Sequence, residues 1–364
     1  MISTVKLHPA GKDYIIRQLL EHGLRRNLIV LGAVFLFSLL PIILSYFSGN
    51  FSNKDLMIDA SHDFSYHAMF LILLPFFIFF IRFYLNGLEK AIDSLRQSNV
   101  LQIDATKYRS AVEYSNKLFA SRFVIILPSV LSIILLLDSI LNYNLKGLNT
   151  WNSTSLAGIN LISTIDIIIT FLFFYFFFAL LIRMSLTYFV IHKFLNGNLN
   201  VQPLHPDNCG GLSPLGEFAL RISWAGIIVG FPVLLLMYGN YRNNIPHYQL
   251  TNVMNMVNYI LAMTIVFFLP LLGARKSMRQ AKIKELNIIS EIFQKERKYT
   301  LANLNQDKLE KEFEISKIEN LIKLHDIAKS MPVWPFNSSN IVRFLSSVLW
   351  PILLILIQYI VGKL

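Results

Sequence analysis

Seven segments of this chain are apolar over about the 20 residues that a helix needs to cross a bilayer core. They are Asn27–Phe47, Phe64–Ile81, Phe123–Leu141, Ile162–Ile182, Ile222–Tyr238, Met254–Leu272 and Phe344–Val361. Within them, Pro75–Ile81 (PFFIFFI) and Phe171–Phe178 (FLFFYFFF) are apolar at every position, whereas the strands of a membrane barrel alternate. Lipid offers no partner to a backbone N–H or C=O, so such segments must satisfy their own groups as helices. Charged residues make up only 15% of the chain and hydrophobic ones 54%, against roughly 25% charged in soluble domains. That balance excludes an ordinary soluble enzyme and a disordered chain. One Cys excludes an internal disulfide. The expected fold is an all-α integral membrane protein, a bundle of about six or seven transmembrane helices with helical cytoplasmic extensions. Pro351, central in the last segment, leaves open whether that segment spans or re-enters.

Orientation follows from the basic residues. With the N-terminus inside, the outer loops hold only Lys54, Lys146 and Arg242. The inner segments hold Lys6, Lys12, Arg17, Arg25 and Arg26, the stretch Arg82–Arg122 and the dense run Arg275–Arg343. The expectation is a bacterial cytoplasmic (inner) membrane with the N-terminus in the cytoplasm and no cleavable signal peptide. The formal charge of +11 then lies beside anionic headgroups, and no nucleic-acid partner is expected. Asn50-Phe51-Ser52 and Asn152-Ser153-Thr154 match glycosylation sequons on the outer side, but patterns this short occur by chance.

The chain divides into a cytoplasmic amphipathic segment (1–26), a bundle of six spans (27–273), a cytoplasmic helical hairpin (274–335) and a last transmembrane or re-entrant segment (336–364). Cytoplasmic loops of the bundle cover 83–122 and 183–221. Asp104 offers an N-cap for a helix leading into the third span, and the fourth span continues to Leu195. Ala274–Ser330 lacks Gly and Pro, and carries apolar stripes at Ile283, Leu286, Ile289 and Phe293 and at Ile315, Ile318 and Ile322. Asn303, Asn305 and Asp307 suit a turn between them; a single rod of about 85 Å is the alternative. The stripes call for a partner surface: the bundle, a neighbouring subunit or a cytosolic protein. Trp334 and Phe336 suit headgroup-level anchors, and Gly226 and Gly230 form a GxxxG helix-packing pair.

The most distinctive loop is His205-Pro206-Asp207-Asn208-Cys209-Gly210-Gly211-Leu212. In one reading His205, Asp207 and Cys209 bind a divalent metal, since imidazole, carboxylate and thiolate are all competent ligands. In the other, Pro206 stiffens a turn, Asp207 caps backbone N–H groups and the glycines supply positive φ. Together with Trp334-Pro335-Phe336, the loop resembles a set of bacterial multi-pass membrane proteins with a cytoplasmic His-Pro-Asp-x-x-Gly-Gly-Leu loop. That resemblance carries no activity.

Asp138 and Asp166 lie at similar calculated depth in spans three and four, about 24–25 Å from the basic residues Arg122 and Arg183. Ionisable groups within spans are costly and mark ion paths or hydrated cavities; in an oligomer the two could ring a cation pore. No Walker loop, Gly-x-Ser-x-Gly or His-Glu-x-x-His sequence occurs, so an enzyme is not expected, nor any cofactor beyond a metal at the His205 loop. The halves show no repeated hydropathy, which disfavours a transporter. The expected function is an oligomeric channel or pore gated from its cytoplasmic helices. The alternative is a non-conducting anchor or sensor that recruits a cytosolic partner at 274–330, as in a bacterial stress or phage-defence module. Expected partners are the lipid bilayer, further copies of the chain and that cytosolic protein.

Overall fold

The computed structural model describes residues 24–56, 58–146, 150–152, 160–196, 199–201, 209–221, 248–302 and 308–336, with shorter pieces among 205–237 and 339–353. The amphipathic segment before residue 24, Gly226 and most of Phe344–Val361 lie outside these residues. Helices α1 (Leu24–Phe47), α2 (Phe64–Gln97), α3 (Ala105–Phe119), α4 (Phe123–Lys146) and α5 (Leu161–Leu195) are followed by α6 (Tyr248–Ala302) and α7 (Lys308–Ser330). Among the described residues there is no strand, only two isolated bridges.

Four helices are long and apolar enough to cross a membrane: α1, α2, α3 continued into α4, and α5. They match the first four apolar segments. A count of six or seven does not follow, because Ile222–Tyr238 and Phe344–Val361 are largely undescribed and Met254–Leu272 is one part of α6. Large apolar side chains stand exposed along α1 (Leu28, Ile29, Leu36) and α4 (Ile126, Ile134, Leu137). Such faces suit lipid tails, which are as apolar as leucine.

Local sequence sets where the helices begin. Asn160 accepts from the Ser163 N–H at 2.8 Å and caps α5; Asp63 accepts from the Tyr66 N–H at 2.9 Å and caps α2. Helix α2 widens into a π-helical stretch over His67–Leu73, where the Leu74 N–H reaches back to the Met69 carbonyl. Pro75 explains the widening. Its ring would crowd the Leu71 carbonyl four residues back and it has no N–H to donate.

Helix α5 is the hub, packing on α1, α2, α3, α4 and α6. At its seam with α6 a Cβ on Gly273 would lie 3.2 Å from the Tyr188 carbonyl and the His192 nitrogen, so the two backbones approach closely there. Helix α6 is one unbroken helix of 55 residues, about 82 Å long. Helix α7 returns along it: Lys282 Nζ donates to the carbonyls of Lys329 and Met331, at 2.5 and 2.9 Å. The single-rod alternative is therefore not adopted. Leu286 and Ile289 pack against the main core, while Ile283, Ile288, Ile315 and Ile322 stay exposed.

Candidate functional site

At one end of the bundle, a polar cluster is buried where α2 and α5 begin. Trp151 is pinned there by its backbone N–H to the Ile58 carbonyl (3.0 Å). Its indole Nε1 donates to Asp63 Oδ2 at 3.0 Å, so both oxygens of the capping carboxylate are engaged. The Tyr66 ring meets the Trp151 ring edge-on at 5.0 Å, and its hydroxyl donates to the Ser38 carbonyl of α1 at 2.9 Å. Beside it, Thr150 Oγ1 donates to Asn152 Oδ1 (2.9 Å), and Asn152 Nδ2 donates to Asp166 Oδ2 (3.1 Å). Asp63 and Asp166 are 9% and 7% exposed, and each lies within Coulombic reach of the other. Burial pushes the Asp63 carboxyl above its ordinary range, although the Tyr66 N–H and the indole pull the other way. Among the described residues neither carboxylate has an ion-pair partner, and Asp166 Oδ1 has no hydrogen-bond partner.

The structure separates the two carboxylates that the sequence set at one depth. Asp138 is exposed on α4, whereas Asp166 is buried beside Asp63. Asp63, Trp151 and Asn152 escaped the sequence reading. Asp63 lies just before a span, where it reads only as a cap, and Trp151 is distant in the chain. Asn152, the sequon residue, is buried with its amide spent on Asp166.

Toward the other end, the α2–α5 seam is closed by phenylalanines. Phe173 meets Phe70 at 5.7 Å and Phe77 at 5.6 Å, and Phe77 meets Phe177 at 5.6 Å. Beyond this layer lies Arg183, 0% exposed, with Nη1 donating to the Ala179 carbonyl at 3.2 Å. The sequence treats it as an anchor at the membrane face; the fold buries it inside the bundle.

The His205–Leu212 loop lies at the same end as Arg183. Asp207 Oδ1 accepts from the N–H of Cys209 (2.9 Å) and of Gly211 (3.0 Å), and Oδ2 from the N–H of Ser213 (3.0 Å), where the helical residues 213–221 begin. His205 Nδ1 stands 2.7 Å from Asp207 Oδ1. Burial opposes ionisation of Asp207, but these three N–H groups and His205 outweigh it and hold the carboxyl below its ordinary range. Cys209 is buried, and that burial together with Asp207 pushes its thiol up to about 11. Gly210 and Gly211 have φ of 67° and 87°. A Cβ on Gly211 would come within 2.4 Å of Val100 Cγ2.

No family model, curated protein or solved structure matches this chain. Residue roles therefore rest on geometry. The loop's geometry is that of a capped turn. Among the described residues no three His, Cys, Asp or Glu side chains group to hold a metal. N–H donors occupy both Asp207 oxygens, and the Cys209 thiol is buried beside them.

The loop joins the elements at this end. The Asn200 N–H donates to the Val100 carbonyl at 2.8 Å. Phe218 lies 5.1 Å from the Tyr84 ring, and Arg221 sits over Phe83 at 5.3 Å. Trp334 and Phe336, expected at headgroup level, are half-buried against α6: Trp334 lies 5.8 Å from Phe268 and under the Arg275 guanidinium at 4.5 Å. Gly230 is helical and buried.

Proposed function

We propose that this multi-pass membrane protein is a cation channel gated from the α6–α7 hairpin and assembled from several copies. One observation carries this reading: helix α5 buries Asp166 near one end and Arg183 near the other, with the Phe70–Phe77–Phe173–Phe177 layer between them. Ionisable groups inside a membrane bundle are expensive and mark ion pathways, and apolar constrictions gate by excluding water. Helix α6 supplies the link to the hairpin. It packs on α5 at Gly273 and runs unbroken to Ala302, so a force on the hairpin bears on the helix that holds both charges. The N-terminus and the hairpin are assigned to the cytoplasm by the basic residues.

The test is current from purified protein in a planar bilayer. Discrete cation-selective steps, with a larger leak in Phe77→Ala/Phe173→Ala, support conduction. A silent bilayer from folded protein overturns it. The second reading, a non-conducting anchor or sensor, draws on a separate observation: Ile283, Ile288, Ile315 and Ile322 leave an apolar surface open on the hairpin. Such a surface fits a second copy or a cytosolic protein.

A further inference from the structure

We infer that Asp166 is the charged anchor of a binding site for one small monovalent cation, at the end of the bundle that holds Trp151. Two carboxylates lie within Coulombic reach of each other here, and each is more than nine-tenths buried. Burying one charge without compensation is costly, and burying two near each other costs more. Their hydrogen-bond neighbours orient them without neutralising them, and His67 reaches Asp63 through Coulombic attraction but forms no ion pair with it. Tyr66 N–H and Trp151 Nε1–H occupy Asp63, and the Asn152 amide occupies one oxygen of Asp166. Those are neutral donors, and among the described residues no Lys, Arg or His forms an ion pair with either acid.

One carboxylate oxygen is left over. Asp166 Oδ1 is buried with no hydrogen-bond partner among the described residues. Buried polar atoms are almost always satisfied, so an orphan carboxylate oxygen points to a missing positive charge. A second orphan lies nearby: the fully buried Ser38 hydroxyl, on the residue whose carbonyl accepts from Tyr66. Thr150 Oγ1 and Asn152 Oδ1 lie along the chain of hydrogen bonds that ends at Asp166. Carboxylate and neutral oxygens are the donor set of a hard cation. With both Asp63 oxygens held by N–H donors, one carboxylate oxygen, Asp166 Oδ1, is open to a cation, fewer anionic ligands than a divalent ion draws on. The site deepens the conduction reading and rests on it for its purpose: it places the ion's first stop on the Trp151 side of the phenylalanine layer.

The test is an equilibrium measurement on the full-length protein in detergent, independent of any current. Sodium chloride replaces choline chloride at constant ionic strength, and thermal unfolding is followed. In a variant with Trp224, Trp334 and Trp350 changed to Phe, the emission of Trp151 is followed as well. Binding predicts a saturable rise in melting temperature and a saturable change in Trp151 emission. Asp166→Asn should abolish both responses while being folded and stable without sodium; Asp138→Asn, the exposed carboxylate, should keep them. The inference is overturned if sodium, potassium and lithium all leave both signals unchanged. It is equally overturned if only pH moves them, which assigns a proton to Asp166, or if only calcium does. If Asp166→Asn does not fold, saturable sodium binding to the wild type, lost in Asn152→Leu, serves as the second arm. A silent bilayer with sodium binding intact would refute conduction alone; current without sodium binding would refute the site alone.

Discussion

The Trp151 indole donates to Asp63 across 88 positions of sequence, at 3.0 Å, and ties the connection before α5 to the first turn of α2. The bond places a buried donor on a buried carboxylate. Asp63 already caps α2 through the Tyr66 N–H, so one side chain starts a helix and fixes a loop at once.

Replacing Trp151 with Phe should therefore be destabilising beyond the loss of ring area. Asp63 Oδ2 would keep its burial and lose its donor, and hydrogen bonds to charged groups contribute about 1.5–3 kcal/mol. We expect a lower melting temperature in detergent. A melting temperature equal to wild type would mean that water replaces the indole and that the bond is dispensable.

Gly211 offers a sharper packing test. With φ at 87° and Val100 Cγ2 only 2.4 Å from an added Cβ, Gly211→Ala combines backbone strain of about 1–3 kcal/mol with a clash. Gly210→Ala, at φ 67°, tests the backbone strain at the neighbouring position. The order of unfolding temperatures should be wild type, then Gly210→Ala, then Gly211→Ala, and Val100→Ala should recover part of the last. Equal losses at the two glycines would remove Val100 from the account.

Asp207 yields a pH dependence of definite sign. Its carboxyl is held below the ordinary range in the folded protein. The stabilisation it supplies is present above the unfolded-state value, about 3.9, and is lost as pH falls through the folded value. Stability should thus drop on the acid side below about pH 4, and Asp207→Asn should flatten that limb while lowering stability at neutral pH. An unchanged acid limb in the variant would assign the acid sensitivity to other carboxylates.

Cys209 should be inert. Its thiol is buried and pushed up to about 11, so little thiolate exists near neutrality, and the thiolate is the nucleophile. Maleimide at pH 7.5 should label the folded protein slowly and the denatured protein at once. Rapid labelling of folded protein would contradict the buried turn described for Asp207–Ser213.

Much of the architecture is legible in the sequence because its cause is local. An unbroken run such as Phe171–Phe178 has one solution in lipid, a helix, and four of the apolar segments do form helices of spanning length. Positive φ at a Gly-Gly pair and capping by an Asp two to six residues upstream of its donors are short-range effects, which is why the turn reading of the His205 loop could be written from residues alone. Ligand types were visible, but which donors their oxygens already served was not.

Depth along a helix follows from 1.5 Å per residue, but the direction a side chain faces depends on what packs beside it. That is why Asp138 and Asp166 looked alike in sequence, yet one is exposed and the other buried. Arg183 shows the same limit, reading as a face-level anchor until α5 is surrounded by its neighbours. The chain by itself determined helices, their approximate lengths and the turn at Gly210–Gly211, because backbone satisfaction and steric freedom act within a few residues. Only the tertiary structure decided that Asp63, Trp151, Asn152 and Asp166 share one buried site, because burial and charge proximity arise between segments that the chain separates.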